Sequence, residues 1–374
     1  MKGINYQLED LLERKPIVLD KTSIFSQVSK KTVLITGAAG SIGSEIARQL
    51  FNFVPSLIIL ADQAETPLYL LSLEMAALSS GAKFCIALSD ITDEAAVEHL
   101  FATYKPDVVY HAAAYKHVQM MEDNPTQAVL TNIEGTRIVA TAAARHNVGT
   151  FVMISTDKAV NPANVMGATK LIAERFITSL QHNQGNNGET DTRFIITRFG
   201  NVLGSNGSVV PVFERQIAEG GPVTVTHPDI TRFFMTIKEA CLLVLEAGAM
   251  GKGGEIFVFD MGKQVKITDL VYKMIKMAGM EPEEDIQIRY TGLRAGEKLF
   301  EELISQSSRT LPTHNENIVI GVEDTVGFIP YTRQLDELKQ IALLYNNMLT
   351  VTKIKAIVPE FVSANSIYEA LDMR

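Results

Sequence analysis

The sequence predicts an α/β fold in which a parallel β-sheet is covered by helices on both faces. Short apolar runs rich in β-branched residues predict buried strands at 31–36, 56–61, 83–88, 107–111, 151–155 and 193–198. Segments of helical spacing separate these runs, among them a long helix expected over 125–146. Strands that alternate with helices pair in parallel, and the helices then cover both faces of the sheet.

The chain divides by pattern into three regions. Residues 1–30 are expected to form an N-terminal extension, and residues 31–200 a doubly wound, Rossmann-type domain to which a strand near 255–260 returns. The alternation loosens after residue 200, so residues 201–374 are expected to form mainly a smaller α/β substrate-binding lobe. A length of 374 residues with 46% hydrophobic residues provides enough apolar surface for this arrangement.

The composition argues against several classes of function. A net charge of −9 and the lack of a Lys/Arg-rich run argue against nucleic acid as a partner. The two cysteines, Cys85 and Cys241, lie far apart in apolar runs, which favours a reduced, cytoplasmic protein. No Cys/His cluster indicates a metal site. No apolar run reaches the ~18–20 residues needed to span a bilayer, so no membrane segment is expected in this chain.

A glycine motif follows the first predicted strand and opens a helix. Gly37, Gly40 and Gly43 have the spacing of a dinucleotide-binding loop, with Ser41 and Ile42 in the first helical turn. The first glycine permits the tight turn, the second lets the backbone approach a pyrophosphate, and the third lets helix and sheet pack closely. Free N–H groups at the helix N-terminus favour phosphate binding.

Acidic residues end the next two predicted strands. Asp62 should accept hydrogen bonds from an adenosine ribose, and a carboxylate there opposes the 2′-phosphate of NADP. No Arg follows it directly, so NAD is the predicted cofactor and NADP the alternative. Asp90 and Ile91 are expected to flank the adenine, although Asp90 could instead cap a helix.

Candidate catalytic residues follow the fourth and fifth predicted strands. Ala112 and Ala113 are small enough to let a cofactor lie against the backbone. The stretch from Ser155 to Lys170 has the layout of a short-chain dehydrogenase/reductase active site, in which a Tyr and a Lys four residues later share a helix face. Met166 occupies the position of that Tyr, and its thioether carries no proton to transfer.

The proton transfers of such a site therefore fall to other groups. Asp157 and Lys158 are the nearest candidates, and Thr156 is expected to orient a substrate hydroxyl. Lys170 is expected to bind the ribose hydroxyls of the nicotinamide. The alternatives are a surface turn pair for Asp157 and Lys158, and ordinary core packing for Met166.

Five longer strings together resemble one family. They are His-Ala-Ala-Ala-Tyr-Lys-His-Val at 111–118, Ser-Thr-Asp-Lys-Ala-Val-Asn-Pro-Ala-Asn-Val-Met-Gly-Ala-Thr-Lys at 155–170, Arg-Phe-Gly-Asn-Val-Leu-Gly-Ser at 198–205, Thr-Arg-Phe-Phe-Met-Thr at 231–236 and Arg-Ala-Gly-Glu-Lys at 294–298. They look like the nucleotide-sugar 4,6-dehydratases of bacterial polysaccharide biosynthesis, extended short-chain dehydrogenases that typically act on UDP-N-acetylglucosamine. The resemblance extends from about residue 8 to the C-terminus. Long members of that family carry membrane helices before the catalytic region, so this chain is either a form without them or the cytoplasmic catalytic part of an anchored protein.

The resemblance implies an internal redox cycle on a UDP-sugar, with residues 31–200 binding NAD and the lobe binding the nucleotide sugar. The sugar C4 hydroxyl loses a proton and C4 passes a hydride to NAD. A base then removes the C5 proton, water leaves from C6, and the hydride returns to C6. Asp157 is assigned to the C4 hydroxyl and the leaving group, and Lys158 to the C5 proton. A lysine base requires a lowered pKa, which burial and the nearby Lys170 are expected to supply.

A UDP-sugar brings two negative charges, so cationic and polar groups are expected to converge on it. The residues assigned to the substrate are Lys116, His117, Arg198, Asn201, Arg232, Arg294 and Glu297. Glu297 is expected to accept a hydrogen bond from the uridine ribose. Ordinary salt bridges are the alternative for Arg232 and Arg294, and plain packing for His117. Relatives often carry Arg where this chain has Asn206, which puts substrate affinity in doubt.

Three functions remain open on the sequence. The leading one is UDP-N-acetylglucosamine 4,6-dehydratase, and the form of the 160–170 string looks more like enzymes that retain the configuration at C5. The second is a UDP-sugar 4-epimerase or a dehydratase that inverts C5. The third is a non-catalytic NAD-binding regulator, against which the intact Asp157, Lys158 and Lys170 argue. A homo-oligomer is expected.

Overall fold

The structure is a computed structural model that describes residues 8–12, 17–78, 82–187, 191–305 and 308–372. Its strands are β1 (Thr32–Thr36), β2 (Leu57–Asp62), β3 (Phe84–Leu88), β4 (Val108–His111), β5 (Thr150–Ile154), β6 (Arg193–Arg198), β7 (Asn201–Leu203), β8 (Val223–Val225), β9 (Thr231–Arg232), β10 (Phe234–Thr236), β11 (Ile256–Phe259), β12 (Val265–Lys266), β13 (Ile288–Tyr290), β14 (Arg309–Pro312) and β15 (Ile318–Val322). Its α-helices are α1 (Thr22–Val28), α2 (Ser41–Leu50), α3 (Glu65–Ala77), α4 (Glu94–Tyr104), α5 (Val118–Asp123), α6 (Pro125–Ala128), α7 (Thr136–Arg145), α8 (Val165–Asn187), α9 (Val209–Ala218), α10 (Ile237–Met250), α11 (Ile267–Met277), α12 (Phe328–Ala342) and α13 (Asn347–Ile357).

A nine-stranded sheet forms the centre of the molecule, in the order β14-β15-β11-β6-β5-β4-β1-β2-β3. The strands from β11 to β3 are parallel, and β15 and β14 are added antiparallel at one edge. The chain passes from β1 outward to β3 and then returns to β4 on the other side of β1. This reversal of strand order confirms the doubly wound, Rossmann-type fold, and it creates the crevice in which such sheets bind ligands.

Helices cover both faces of the sheet because its strands are apolar on both sides. Leu34 and Ile35 are adjacent in β1 and fully buried, and they belong to different apolar clusters. Helices α1, α2, α3 and α10 contribute to one cluster, and α4, α7, α8, α12 and α13 to the other. None of the helices in the described part of the chain combines the length and the hydropathy needed to cross a bilayer.

The smaller lobe has an apolar cluster of its own. Phe213 of α9 packs there with Val223 of β8 and with Leu270 and Met274 of α11. Short strand pairs complete the lobe, namely β7 with β10, β9 with β12 and β8 with β13. The expectation that residues 201–374 form mainly this lobe is too broad, because α10, α12, α13, β11, β14 and β15 all join the sheet domain.

The N-terminal segment from residue 17 to residue 28 is part of the sheet domain. Ile24 and Val28 lie one turn apart on α1 and are fully buried. The Ile17 amide donates to Glu239 Oε1 at 3.0 Å, and Gln27 Nε2 donates to the Gly248 carbonyl at 2.7 Å. Both partners belong to α10, so this segment is held along the helix rather than extending from the domain.

We predict that Ile24→Ala destabilises the protein by about 2–5 kcal/mol, because it removes a buried aliphatic side chain and leaves a cavity. Phe25→Ala is the matched control, since the neighbouring Phe25 side chain is 49% exposed. Urea unfolding of both variants measures the effect. Equal midpoints for the two variants would contradict the assignment of α1 to the core.

Candidate active site

The glycine motif forms a turn in which side chains are sterically excluded. Gly37 has a φ of +69°, and a Cβ there would lie 2.5 Å from the Ala113 nitrogen and 2.7 Å from the Ala112 carbonyl carbon. A Cβ on Gly43 would lie 2.2 Å from the Gly37 oxygen. These close approaches join the loop after β1, the start of α2 and the loop after β4 into one surface at the carboxyl edge of the sheet.

The start of α2 adds backbone donors to that surface. Gly40 is the N-cap residue, and Ser41 and Ile42 begin the helix. The first amides of a helix have no intrahelical partner, and they carry the positive end of its dipole. A side-chain-free turn next to such amides fits the pyrophosphate of a dinucleotide.

The acidic residues after β2 and β3 organise their own loops. Asp62 Oδ2 accepts from the Ala39 amide and Asp62 Oδ1 from the Ala64 amide, both at 2.9 Å. Asp62 thus holds the glycine turn and remains at the strand end where a ribose would lie. Asp90 Oδ1 accepts from the amide and hydroxyl of Thr92 at 2.8 and 2.9 Å, while Asp93, not Asp90, caps α4.

Ile91 lies under this part of the site. Its side chain is 8% exposed, and a Cβ on Gly135 would lie 2.5 Å from the Ile91 Cδ1. Ile91 therefore packs against the helical segment that follows α6.

Asp157 lies in a short turn directly after β5, and its carboxylate is fully buried. Its Oδ1 accepts from Thr156 Oγ1 at 2.9 Å and from Lys158 Nζ at 3.0 Å. Its Oδ2 has no hydrogen-bond partner. A buried carboxylate oxygen without a donor is uncommon and costly, and this one lies against Gly200, where a Cβ would come within 3.1 Å of it. The surface-turn alternative for this pair is wrong.

Lys158 is held as an ammonium ion by acceptors on several sides. Its Nζ lies 3.0 Å from Asp157 Oδ1 and 3.1 Å from Asn201 Oδ1. Glu301 Oε1 lies 3.7 Å away. Burial alone would lower the pKa of the Lys158 amine, but the carboxylates of Asp157 and Glu301 outweigh it, so the pKa is raised. The expected lowering is therefore wrong for this lysine, because the two carboxylates outweigh burial and the positive charge of Arg232.

Helix α8 begins tightly against this turn. A Cβ on Gly167 would lie 2.1 Å from the Lys158 carbonyl oxygen, and Asn164 Oδ1 accepts from the Gly167 amide at 2.7 Å. Met166 lies one residue earlier and is 3% exposed within the apolar cluster of that sheet face. The Met166 thioether offers no exchangeable proton at this position.

Lys170 reaches the end of β5 from the next turn of α8. Its Nζ donates to the Ile154 carbonyl at 2.8 Å, and the residue is 4% exposed. Burial lowers the pKa of Lys170 to about 8, although the carboxylate of Glu174 opposes the shift. The lysine with a lowered pKa is therefore Lys170, on the helix, and not Lys158, in the turn.

A π-helix over Val129–Gly135 interrupts the long helix predicted for 125–146. Asn132 in this segment accepts from the Tyr115 amide at 2.8 Å and donates to Thr169 Oγ1 at 3.1 Å. The side chain thus joins the loop after β4 to α8, between the candidate catalytic elements. Sequence reasoning missed Asn132, because helical periodicity does not reveal a π-segment, which occurs frequently at functional sites.

The lobe contributes Asn201, Arg232 and Glu301 to the surroundings of Lys158. Arg232 is 7% exposed, and its Nε lies 3.9 Å from Glu301 Oε1. Arg232 also donates to the Thr231 and Leu299 carbonyls at 2.7 and 3.3 Å. Glu301 could not be singled out from the sequence, because a Glu-Glu pair such as 301–302 is typical of a solvated surface.

Glu297 and Arg294 lie in the loop that follows β13. Glu297 Oε1 accepts from Thr226 Oγ1 at 3.1 Å and faces Arg232 Nη2 at 3.5 Å. Its Oε2 accepts from the Arg294 amide at 3.1 Å, so this carboxylate shapes the loop. Arg294 itself is exposed.

Arg198 is not part of this constellation. Its guanidinium is 2% exposed and pairs with Glu174 of α8 and with Glu323. Those two carboxylates already pair with the guanidinium N–H groups that would otherwise contact a phosphate. The assignment of Arg198 to the substrate is therefore corrected to a buried ion pair between β6 and α8.

Two loops, one after β4 and one at 204–208, lie next to each other near the start of α2. Lys116 and His117 are exposed in the loop after β4, and a Cβ on Gly207 would lie 2.6 Å from His117 Cε1. The Asn206 amide donates to Ser41 Oγ at 3.0 Å. The 204–208 loop of the lobe thus touches both the imidazole and the start of α2.

Comparison with known proteins agrees with this geometry. The profile of a family described as polysaccharide biosynthesis protein matches residues 33–323. The chain is 51% identical over 302 residues to the capsular polysaccharide biosynthesis protein CapD of Staphylococcus aureus, covering 80% of this chain and 49% of CapD. It is 36% identical over 292 residues to the UDP-N-acetylglucosamine 4,6-dehydratase (inverting) of Campylobacter jejuni, covering 77% and 82% of the two chains. The X-ray structure of Pen from Bacillus thuringiensis superposes with a TM-score of 0.71 at 34% identity, covering 85% and 99%.

The fold and the lysine-bearing helix after β5 define a short-chain dehydrogenase/reductase of the extended kind. Within that class, the chain belongs to the polysaccharide biosynthesis family. It spans about half the length of the curated relative CapD.

The buried amine of Lys170 generates a prediction about pH. A folded-state pKa of about 8, below the ordinary 10.5, makes the buried charge a cost that is present at low pH. Between these two pKa values the unfolded chain binds more protons than the folded protein does. The free energy of unfolding therefore rises by about 3 kcal/mol over this pH range, and Lys170→Met lacks this rise. Urea unfolding of both proteins from about pH 7 to about pH 11 measures this difference. Lys252→Met, which removes an exposed lysine, is the control, and a flat difference for Lys170→Met would refute the lowered pKa.

Proposed function

We propose that this protein catalyses the NAD-dependent dehydration of a UDP-sugar, with UDP-N-acetylglucosamine as substrate and the UDP-4-keto-6-deoxy sugar as product. The observation that carries the proposal is the ion pair between the buried Asp157 carboxylate and the Lys158 amine, next to Thr156, in the turn directly after β5. A carboxylate and an amine in contact are suited to move protons to and from a bound sugar. The similarity to a Campylobacter dehydratase supports the reaction class, and the family supports a place in polysaccharide biosynthesis.

The surface around the glycine turn supports a dinucleotide cofactor. Gly37, Gly40 and Gly43 leave room for the pyrophosphate, and the first amides of α2 face it. The Asp62 carboxylate would repel a 2′-phosphate, which favours NAD over NADP. Lys170 would hold the ribose next to the nicotinamide. A bound nicotinamide supplies a hydride acceptor for sugar C4 and a hydride donor for C6.

The protein's own residues handle the protons. The Asp157 carboxylate takes the proton of the C4 hydroxyl, which Thr156 Oγ1 orients. The same carboxyl then protonates the C6 oxygen as water leaves, so one group acts first as base and then as acid. Lys158 takes the C5 proton in its neutral form. Because Lys158 is held as an ammonium ion, it must first lose a proton of its own.

The exposed face of the lobe supports binding of the nucleotide. Arg294 is exposed in the loop after β13, and its guanidinium could contact a diphosphate through two N–H groups. Arg232 is already engaged by backbone carbonyls and Glu297, so it contributes charge more than direct contacts. Lys116 and His117 would close over the hexose. Glu297 would reach the ribose only with an oxygen not occupied by its own loop.

Incubation with UDP-N-acetylglucosamine in D₂O, followed by NMR, tests the proposed reaction. We expect a 4-keto-6-deoxy sugar with solvent deuterium at C5, because the C5 proton is exchanged on Lys158. A galacto isomer formed without loss of water would indicate an epimerase instead. No turnover with bound NAD would indicate a regulator.

Asp157→Asn should lower kcat by ~10²–10⁴-fold while NAD binding is retained, since the amide cannot accept the C4 proton. Steady-state kinetics and a cofactor titration measure the two effects. Asp93→Asn is the matched control, because Asn caps a helix as well as Asp and Asp93 lies at the start of α4. Near-normal turnover of Asp157→Asn would refute the role given to this carboxylate.

A further inference from the structure

Glu301 is a second buried carboxylate near the Lys158 amine. The residue is 4% exposed, and its Oε1 lies 3.7 Å from Lys158 Nζ. Its Oε2 is buried without a hydrogen-bond partner. Its backbone carbonyl accepts from Gln264 Nε2 at 2.9 Å, which fixes the loop that carries it. Two carboxylates, each with one unpartnered oxygen, therefore flank a single ammonium ion.

The groups around Glu301 determine how readily it takes a proton. Burial raises the pKa of the Glu301 carboxyl, and the negative charge of Asp157 acts in the same direction. Lys158, Arg232 and Lys298 lower it, but the net shift is upward. A carboxyl with a raised pKa accepts a proton from a neighbouring cation more readily than an ordinary glutamate does.

Comparison of the groups near Lys158 Nζ identifies the one that can accept its proton. The three atoms around the ammonium group are Asp157 Oδ1, Asn201 Oδ1 and Glu301 Oε1. The amide oxygen of Asn201 does not take up a proton at ordinary pH. In the proposed reaction Asp157 already carries the C4 proton when C5 is attacked. Among the residues that the structure describes, Glu301 is the remaining carboxylate within 4 Å of the Lys158 amine.

We propose that Glu301 accepts a proton from Lys158 and so generates the neutral amine that removes the C5 proton. This inference rests on the function proposed above. One N–H bond of the Lys158 ammonium breaks, and one O–H bond forms on Glu301. The 3.7 Å separation closes to hydrogen-bond distance by rotation of the lysine side chain.

The cycle balances without any further reactant. The amine takes the C5 proton and becomes an ammonium ion again, while Asp157 delivers its proton to the C6 oxygen and water departs. After the hydride reaches C6, Lys158 returns a proton to C5. Glu301 then passes its proton back to the amine, and both groups regain their starting charges.

Glu301→Gln tests the proposal, because it preserves shape but removes the ability to accept a proton. With UDP-N-acetylglucosamine we expect kcat at about pH 7.5 to fall ~10²–10³-fold, with KM changed less than about threefold. The loss should shrink toward about pH 10, because hydroxide then deprotonates Lys158 directly. C4 oxidation still occurs, so the absorbance of the reduced nicotinamide should build up on the enzyme in the first turnover.

Two further variants provide the controls. Glu302→Gln changes the adjacent residue, whose side chain accepts from Asn161 on the surface, and should match the wild-type protein. Glu301→Asp keeps a carboxylate and should recover a measurable part of the lost kcat. Thermal unfolding of each variant establishes that it is folded.

The outcomes separate the two proposals. If the wild-type protein forms the deuterated keto sugar and Glu301→Gln retains kcat within about threefold, the proposed proton transfer from Lys158 to Glu301 (the relay) is wrong. The dehydratase function then stands. Glu301→Gln could instead lose the same fraction of kcat at every pH, show no reduced-nicotinamide signal and find no recovery in Glu301→Asp. Glu301 would then be a structural residue, and this result also overturns the relay. If the wild-type protein forms no keto sugar, the proposed function fails and the relay fails with it.

Discussion

The contact between the Asp157 carboxylate and the Lys158 ammonium group organises the rest of the candidate site. Both groups are removed from water, and a buried ion pair is maintained only when further polar partners offset the loss of hydration. Thr156, Asn201 and Glu301 provide those partners from three different segments. The pair therefore joins the end of β5 to the segments that carry Asn201 and Glu301.

Glycines determine how closely the surrounding segments approach. Gly37 and Gly43 let the loops after β1 and β4 touch the start of α2, and Gly167 lets α8 pack on the Lys158 carbonyl. A methyl group at any of these positions would overlap backbone atoms, which have no rotamer by which to move away. Dense packing of this kind fixes the distance between the glycine turn and the Asp157–Lys158 ion pair.

Charge partners, more than residue type, distinguish the roles of the cations. Lys158 and Lys170 are both buried, yet their pKa values shift in opposite directions, because carboxylates surround the first and a backbone carbonyl holds the second. Arg198 and Arg294 differ in the same way, one closed between two glutamates and the other open to solvent. The Lys158 ammonium group is thereby held in the turn after β5, while Arg294 remains accessible to solvent.

Apolar alternation and local motifs are encoded within a few consecutive residues, so the sequence predicts the parallel strands, the glycine turn and the residues of the turn after β5, but not the antiparallel edge strands β14 and β15. The strands of 31–198 and the returning strand near 255–260 all follow from such runs. Only the tertiary structure decided that the 17–28 segment packs on α10, that a π-segment places Asn132 beside Thr169, and that Glu301 lies beside Lys158. Contacts between residues far apart in the chain depend on how whole elements pack. A local sequence pattern therefore does not predict which carboxylate will lie next to which amine.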